Sequence, residues 1–240
     1  MKSRFIINIL CIPFLVLVVL LGCSKGSETY FPLKEGMTWE YNSSFSSSFE
    51  KSKTTKFVTK NFAPRLLEGK EVTPQKTEVQ GRNFFNFMVE DSKGIYQIAI
   101  HPPGAVEPII FPSPGFLIKY PIQVGTTWEG NVSSSLLKDA VVPVKVTIEK
   151  VDDVVTVSAG TFKGCLKLKG VGTIEKDVTF PGFSRPDVAK IRYECYDWYA
   201  PGVGLIREII KETREMIKNG SGYLAEGSLV ITVQLESFKK

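Results

Sequence analysis

One histidine, His101, serves 240 residues, and there are only four cysteines: Cys11, Cys23, Cys165 and Cys195. A single histidine excludes His-rich metal centres and networks of histidine bases. Four cysteines allow two disulfides, a zinc site or neither, and only their positions can decide. An excess of one charge is also missing. Thirty Lys and Arg stand against 25 Asp and Glu, a net charge of +5, with no basic block of the kind that follows a nucleic acid. There is no P-loop, no H-E-x-x-H, no dinucleotide fingerprint and no G-x-S-x-G elbow. At 43% hydrophobic and 23% charged, the chain is neither disordered nor collagen-like, and suits one globular domain or two small ones.

Its one long hydrophobic run stands at the start. Lys2 and Arg4 precede an uncharged stretch, residues 5–21, which ends in Leu20-Leu21-Gly22-Cys23 before the polar Ser24-Lys25-Gly26-Ser27. A charged start, an apolar centre and a small residue before the cut form a secretory signal. Leu20, Gly22 and Cys23 resemble the bacterial lipobox, which implies cleavage between Gly22 and Cys23 and diacylglycerol on the Cys23 sulfur. The competing reading is an uncleaved membrane helix, but about 17 residues is at the short end for a span. Several acyl chains hold a protein on a membrane far more firmly than one. Ser24 rather than Asp in the second mature position directs the expectation to the outer membrane. Without residues 1–22, 240 − 22 = 218 residues remain, and loss of Lys2 and Arg4 lowers the charge to +3.

Beyond a short tether, residues 23–29, the pattern changes to period 2. Trp39, Tyr41, Phe45 and Phe49 share one parity, and Glu40, Asn42, Ser44, Ser46 and Ser48 the other. That is a half-buried strand. Further strands are expected over 53–60, 72–80, 84–90, 94–100, 127–133, 141–151, 154–157, 161–171 and 190–199, rich in β-branched and aromatic residues. Residues 204–218 also fit a helical stripe. The Asn219-Gly220-Ser221-Gly222 turn signal beyond them argues instead for a strand paired with 223–237.

The chain repeats itself. Phe31-Pro32-Leu33-Lys34-Glu35-Gly36-Met37-Thr38-Trp39-Glu40 matches Tyr120-Pro121-Ile122-Gln123-Val124-Gly125-Thr126-Thr127-Trp128-Glu129 at an offset of 89. Trp39 and Trp128 are therefore expected to be core anchors, each opening one half. Between the halves lies a Pro-rich connection, 101–119, whose five prolines over 101–115 forbid a central strand or helix. Its Ile109, Ile110, Phe111, Phe116 and Leu117 are expected to pack back on the sheet, the alternative being an exposed partner or lipid contact. The expected fold is all-β and mainly antiparallel. Two related halves, 30–100 and 120–240, form a curved sheet, partly open barrel or sandwich behind an N-terminal signal helix.

The repeated opening motif, Ala159-Gly160-Thr161-Phe162 and Trp198-Tyr199-Ala200-Pro201-Gly202-Val203-Gly204-Leu205 together resemble a TapB-like family of exported bacterial lipoproteins of unknown function. The resemblance spans most of residues 30–210. Ser158 stands where that family more commonly has Pro. It implies an exported, membrane-tethered β protein and no catalytic residues.

With Cys11 removed and Cys23 acylated, Cys165 and Cys195 remain. A disulfide between them requires their strands to pair with Cys165 opposite Cys195; otherwise they are two inert thiols. No CxxC accompanies them, so no metal and no cofactor is expected. His101 beside Pro102-Pro103 is not expected to be catalytic. Asp152-Asp153 reads as a polar hairpin tip. Glu194 and Asp197 sit among Tyr193, Tyr196, Trp198 and Tyr199, a composition that could bind a sugar. Three residues apart on a strand, however, they point to opposite faces. The expected function is a non-enzymatic, membrane-anchored structural or interaction module of the envelope. The alternative is a carrier of an apolar ligand in a concave sheet. The expected partners are the membrane, through Cys23, and an unidentified envelope protein or apolar ligand, but no nucleic acid.

Overall fold

The computed structural model describes residues 29–218 and 220–240. The signal segment, Gly22 and Cys23 lie outside these. Among the described residues the strands are β1 Thr38–Ser47, β2 Lys53–Asn61, β3 Arg65–Leu67, β4 Lys70–Val79, β5 Arg82–Asp91, β6 Gly94–His101, β7 Ile109–Lys119, β8 Thr127–Ser133, β9 Val141–Val157, β10 Gly160–Val178, β11 Asp187–Ala200, β12 Gly204–Lys218 and β13 Gly227–Lys239. Every pairing is antiparallel. The fold is all-β, as expected, and residues 204–218 form a strand.

The strands follow one path, β7-β6-β5-β4-β2-β1-β13-β12-β11-β10-β9-β8, with the short β3 beside β4. Each half is thus contiguous. The halves join where β1 pairs β13, and the free edges, β7 and β8, meet at a seam. There the Trp128 indole N–H donates to the Phe116 carbonyl at 3.1 Å. The sheet is therefore a nearly closed barrel. No backbone ladder joins β7 to β8, so each keeps an outer edge at this seam.

The repeat is visible in the backbone. Gly36 N–H bonds Asn61 C=O and Asn61 N–H bonds Met37 C=O; in the second half Gly125 N–H bonds Ile148 C=O and Ile148 N–H bonds Thr126 C=O. Gly36 and Gly125 sit at φ +84° and +91°, a region that favours glycine. That explains the invariant Gly three residues before each Trp. Trp39 and Trp128 are both buried. Trp39 lies at the β1–β13 joint and Trp128 at the seam, so each anchors one of the two places where the halves meet.

One apolar cluster crosses the interior from half to half: Phe31, Met88, Ile95, Ile118, Trp128, Ile148, Leu166, Leu168 and Tyr199. Phe31 comes from the segment before β1. That segment is fixed on several sides. Tyr30 Oη donates to Gly164 C=O, Gly202 N–H to Thr29 C=O, and Asn61 Nδ2 to Pro32 C=O. The start of the body is thus a plug in one end of the barrel.

Three local expectations are corrected. The Pro-rich segment 101–119 carries a strand, β7, though at the sheet edge. Its prolines 112 and 114 fall where the register with β6 shifts, between Gln97↔Gly115 and Ala99↔Ile110, so the missing N–H groups break no ladder. Phe116 and Leu117 do pack on the core, but Ile109 and Ile110 are exposed, at 55% and 42%. Asp152-Asp153 is not a hairpin tip. β9 runs through both, and bulges opposite Cys165 absorb the bend.

Candidate functional site

β11 and β12 bring together the most unusual group of side chains. Alternation turns Asp187, Ala189, Ile191, Tyr193, Cys195, Asp197 and Tyr199 inward on β11. The register then sets Asp197 opposite Glu208 on β12. Their row continues through Leu168 to Ile148 on one side and Val233 on the other, all buried core residues. Two carboxyls therefore share an apolar row. Asp197 Oδ1 is buried without a hydrogen-bond partner. Contrast Glu212, four residues along on the same face. It accepts from Ser134 Oγ and from the N–H groups of Ser135 and Leu136.

Burial raises the Glu208 carboxyl to about 7. It pushes Asp197 well above the usual carboxylate range, and the Glu208 charge adds to this. Burial likewise raises Tyr41, Tyr193 and Tyr199; Glu208 adds to all three, and Asp197 to Tyr193 and Tyr199. The Cys195 thiol is pushed up to about 12, by burial and then by Asp197 and Glu208. Inward-facing Tyr193, Cys195, Asp197, Glu208, Ile210 and Ile231 nevertheless keep partial accessible surface. Ile231 packs against both the cluster at Trp39 and the one at Leu136, Val142 and Leu229, and Tyr193 against the second, so this row bridges the two clusters.

The disulfide reading is corrected. Gly170, not Cys165, lies opposite Cys195, and both thiols are free. Cys165 is five residues further along β10, about 17 Å of strand. It is buried beside Val155, Val157 and Val203, and burial raises it to about 11. Glu194 and Asp197 do point to opposite faces. Outside, Tyr196 Oη donates to Glu194 and the Trp198 indole to Asp153. Lys167, Lys169 and Lys211 lie over the Tyr196 ring, and Arg207 over Trp198. These rings are already covered by cations, so they offer no free platform for a sugar. His101 Nε2 pairs with Ala105 C=O at 2.8 Å and ties its own loop. Among the described residues no three of His, Cys, Asp and Glu converge as metal ligands.

Two cavities bear on ligand capacity. Between Phe31, Trp39, Tyr41, Phe57 and Leu205, inside the barrel, about 100 Å³ is open. At the seam, residues 111–115 of β7 and 129–131 of β8 border about 600 Å³, with Pro143, Lys145 and Val171 beneath.

No family model matches the chain, and no curated protein matches its sequence. Two solved structures resemble it. One is described as a "putative lipoprotein" from Parabacteroides distasonis ATCC 8503, 14% identical with a TM-score of 0.34 over 89% of this chain and 99% of that one. The other, a "putative exported protein with YmcC-like fold" from Bacteroides fragilis NCTC 9343, is 15% identical with a TM-score of 0.37 over 89% and 100%. Neither likeness is strong enough to bear on what this chain does.

Proposed function

We propose that this chain is a bacterial envelope lipoprotein, held by acylated Cys23, most simply in the outer membrane, and acting as a structural or interaction module rather than an enzyme. The lipobox-like Leu20-Leu21-Gly22-Cys23 and the TapB-like motifs favour export and acylation. One structural observation carries the rest: the space between the halves is filled by side chains, Phe31 and Trp128 among them, and the N-terminal segment is the plug. The interior void of about 100 Å³ is well below the roughly 300–1,000 Å³ of small-molecule sites. The two thiols offer no ready nucleophile, since burial keeps both protonated at neutral pH.

Mass spectrometry of the N-terminal peptide from membranes tests the anchor. A diacylglyceryl or triacyl mass on Cys23 is expected, and a Cys23→Ala variant should carry none. An unmodified Cys23 in the membrane-bound protein overturns the proposal. The carrier reading retains one foothold, the seam cavity of about 600 Å³. Native mass spectrometry of residues 24–240 distinguishes it: a co-purified lipid mass supports the carrier, and apo mass alone rejects it.

A further inference from the structure

We infer which end of the barrel faces the bilayer: the rim formed by residues 91–94, 119–126 and 200–204. The inference rests on acylation of Cys23 and adds an orientation to it.

The chain is fixed from Thr29 onward at this rim. Thr29 C=O accepts from Gly202 N–H, and Thr29 Oγ1 donates to Glu90 Oε1 at 3.3 Å. Tyr120, across the rim, donates to the same Glu90 oxygen at 2.6 Å. Tyr30 Oη bonds Gly164 C=O, and Phe31 is buried in the cluster that joins the halves. The body therefore cannot swing about Thr29 without withdrawing Phe31 from the core. From Cys23 to Thr29 is six residues, and six residues span at most about 20 Å. The 14-residue β11, by contrast, extends about 46 Å. With the 35–45° tilt of barrel strands, the barrel is roughly 35 Å long. The tether can reach the membrane from the rim that holds Thr29 and is too short to wrap past the opposite one.

Charge plays no part in this orientation. Cations and carboxylates are mixed at this end, Lys93, Lys119 and Lys239 with Glu90 and Asp91 among them, so no field of one sign is needed to set the orientation. Tether length alone sets the geometry, and salt should not alter it. The opposite rim, with the turns at 79–82, 102–108 and 220–226, is presented away from the membrane. It carries the aromatic group of Phe180, Phe183 and Tyr223, whose rings are 5.1–5.5 Å apart, with Tyr223 67% exposed.

The test uses the full acylated protein in phosphatidylcholine vesicles carrying a small fraction of acceptor-labelled lipid. A donor dye is placed at Val124→Cys on the inferred membrane rim, or at Val106→Cys on the opposite one. Both positions are highly exposed, at 60% and 90%, and the two native thiols are too shielded to label in the folded state. Transfer from position 124 should be several-fold greater than from 106, equally at low and high salt. Ten Gly-Ser residues inserted after Ser24 should bring the two close together. Equal or reversed transfer from vesicle-bound protein overturns the orientation while leaving the anchor intact. Failure to associate with vesicles, with no acyl mass on Cys23, overturns both.

Discussion

Asp197 and Glu208 are directly opposed across β11 and β12 on the inner face of the barrel, and among the described residues no cation stands beside either. Removing a carboxylate from water without a partner penalises its charged form. The consequence is a pH dependence of stability with a definite sign. Glu208 titrates near 4.5 unfolded and at about 7 folded. Between those values the unfolded chain has given up a proton that the folded chain keeps. The stability is therefore complete below about 4.5, falls as pH rises to about 7, and is flat above. Asp197 acts in the same direction. Carboxylates shifted downward, Asp91, Asp153 and Glu194 among them, lose their contribution only as pH falls below the ordinary carboxylate range, outside this window. Urea midpoints at pH 5.0 should exceed those at pH 7.5, and Glu208→Gln should narrow the gap. A midpoint that climbs toward pH 7.5 would refute the unpaired acids.

Much of this was legible in the chain. Alternation from Trp39 to Ser48 and from Val142 to Ile148 gave strands, and the 89-residue offset gave two halves with a tryptophan at each start. Alternation over 204–218 even places Ile206, Glu208, Ile210 and Glu212 on one face. What stayed hidden was register. Asp197 meets Glu208 only because a bulge at Trp198/Tyr199 sets the β11–β12 ladder, and Gly170 rather than Cys165 meets Cys195. Such offsets depend on bulges and on contacts distant in sequence, and a slip changes every partner. The edge strand β7 was hidden for a different reason. Its prolines exclude a central strand but not an edge one, and nothing local in the sequence says which strand lies at an edge.

Gly170 and Gly172 show how tightly β9 and β10 approach. A Cβ on Gly170 would lie 2.6 Å from Cys195 Sγ, while one on Gly172 would lie 2.4 Å from the Pro143 carbonyl oxygen. The first obstacle is a removable side-chain atom and the second is backbone. Gly170→Ala should cost about 1–3 kcal/mol, as overpacking does, and Cys195→Ala should recover a good part of it in a double-mutant cycle. Gly172→Ala should be destabilising in both backgrounds. An additive Gly170–Cys195 cycle, measured by urea denaturation, would contradict the contact.

The two tryptophans should differ in what they hold. Trp39 is buried, with its indole N–H donating to Val203 C=O at 2.6 Å, and Trp39→Ala should cost about 3–5 kcal/mol. Trp128→Phe keeps much of the apolar bulk but removes the indole N–H that bridges the seam to Phe116. A loss of about 1 kcal/mol is expected. Hydrogen exchange should quicken at β7 and β8 while β11 and β12 keep their protection. Uniform acceleration over the whole sheet would mean that Trp128 supports the global core and not the seam.

Thiol chemistry gives the clearest check on the register of β10 and β11. Free thiols at Cys165 and Cys195, raised to about 11 and about 12, are almost wholly protonated at pH 8, and the thiolate is the reactive form. Residues 24–240, which lack Cys11 and Cys23, should therefore react slowly with Ellman's reagent when folded. Unfolded in guanidinium without reductant, they should release two equivalents, because unfolding returns each thiol to its ordinary value near 8.5. The Cys195→Ala variant should release one. A denatured, unreduced chain that yields no thiol would mean that the two cysteines are bonded, and the ladder that sets Gly170 against Cys195 would then have to shift by five residues.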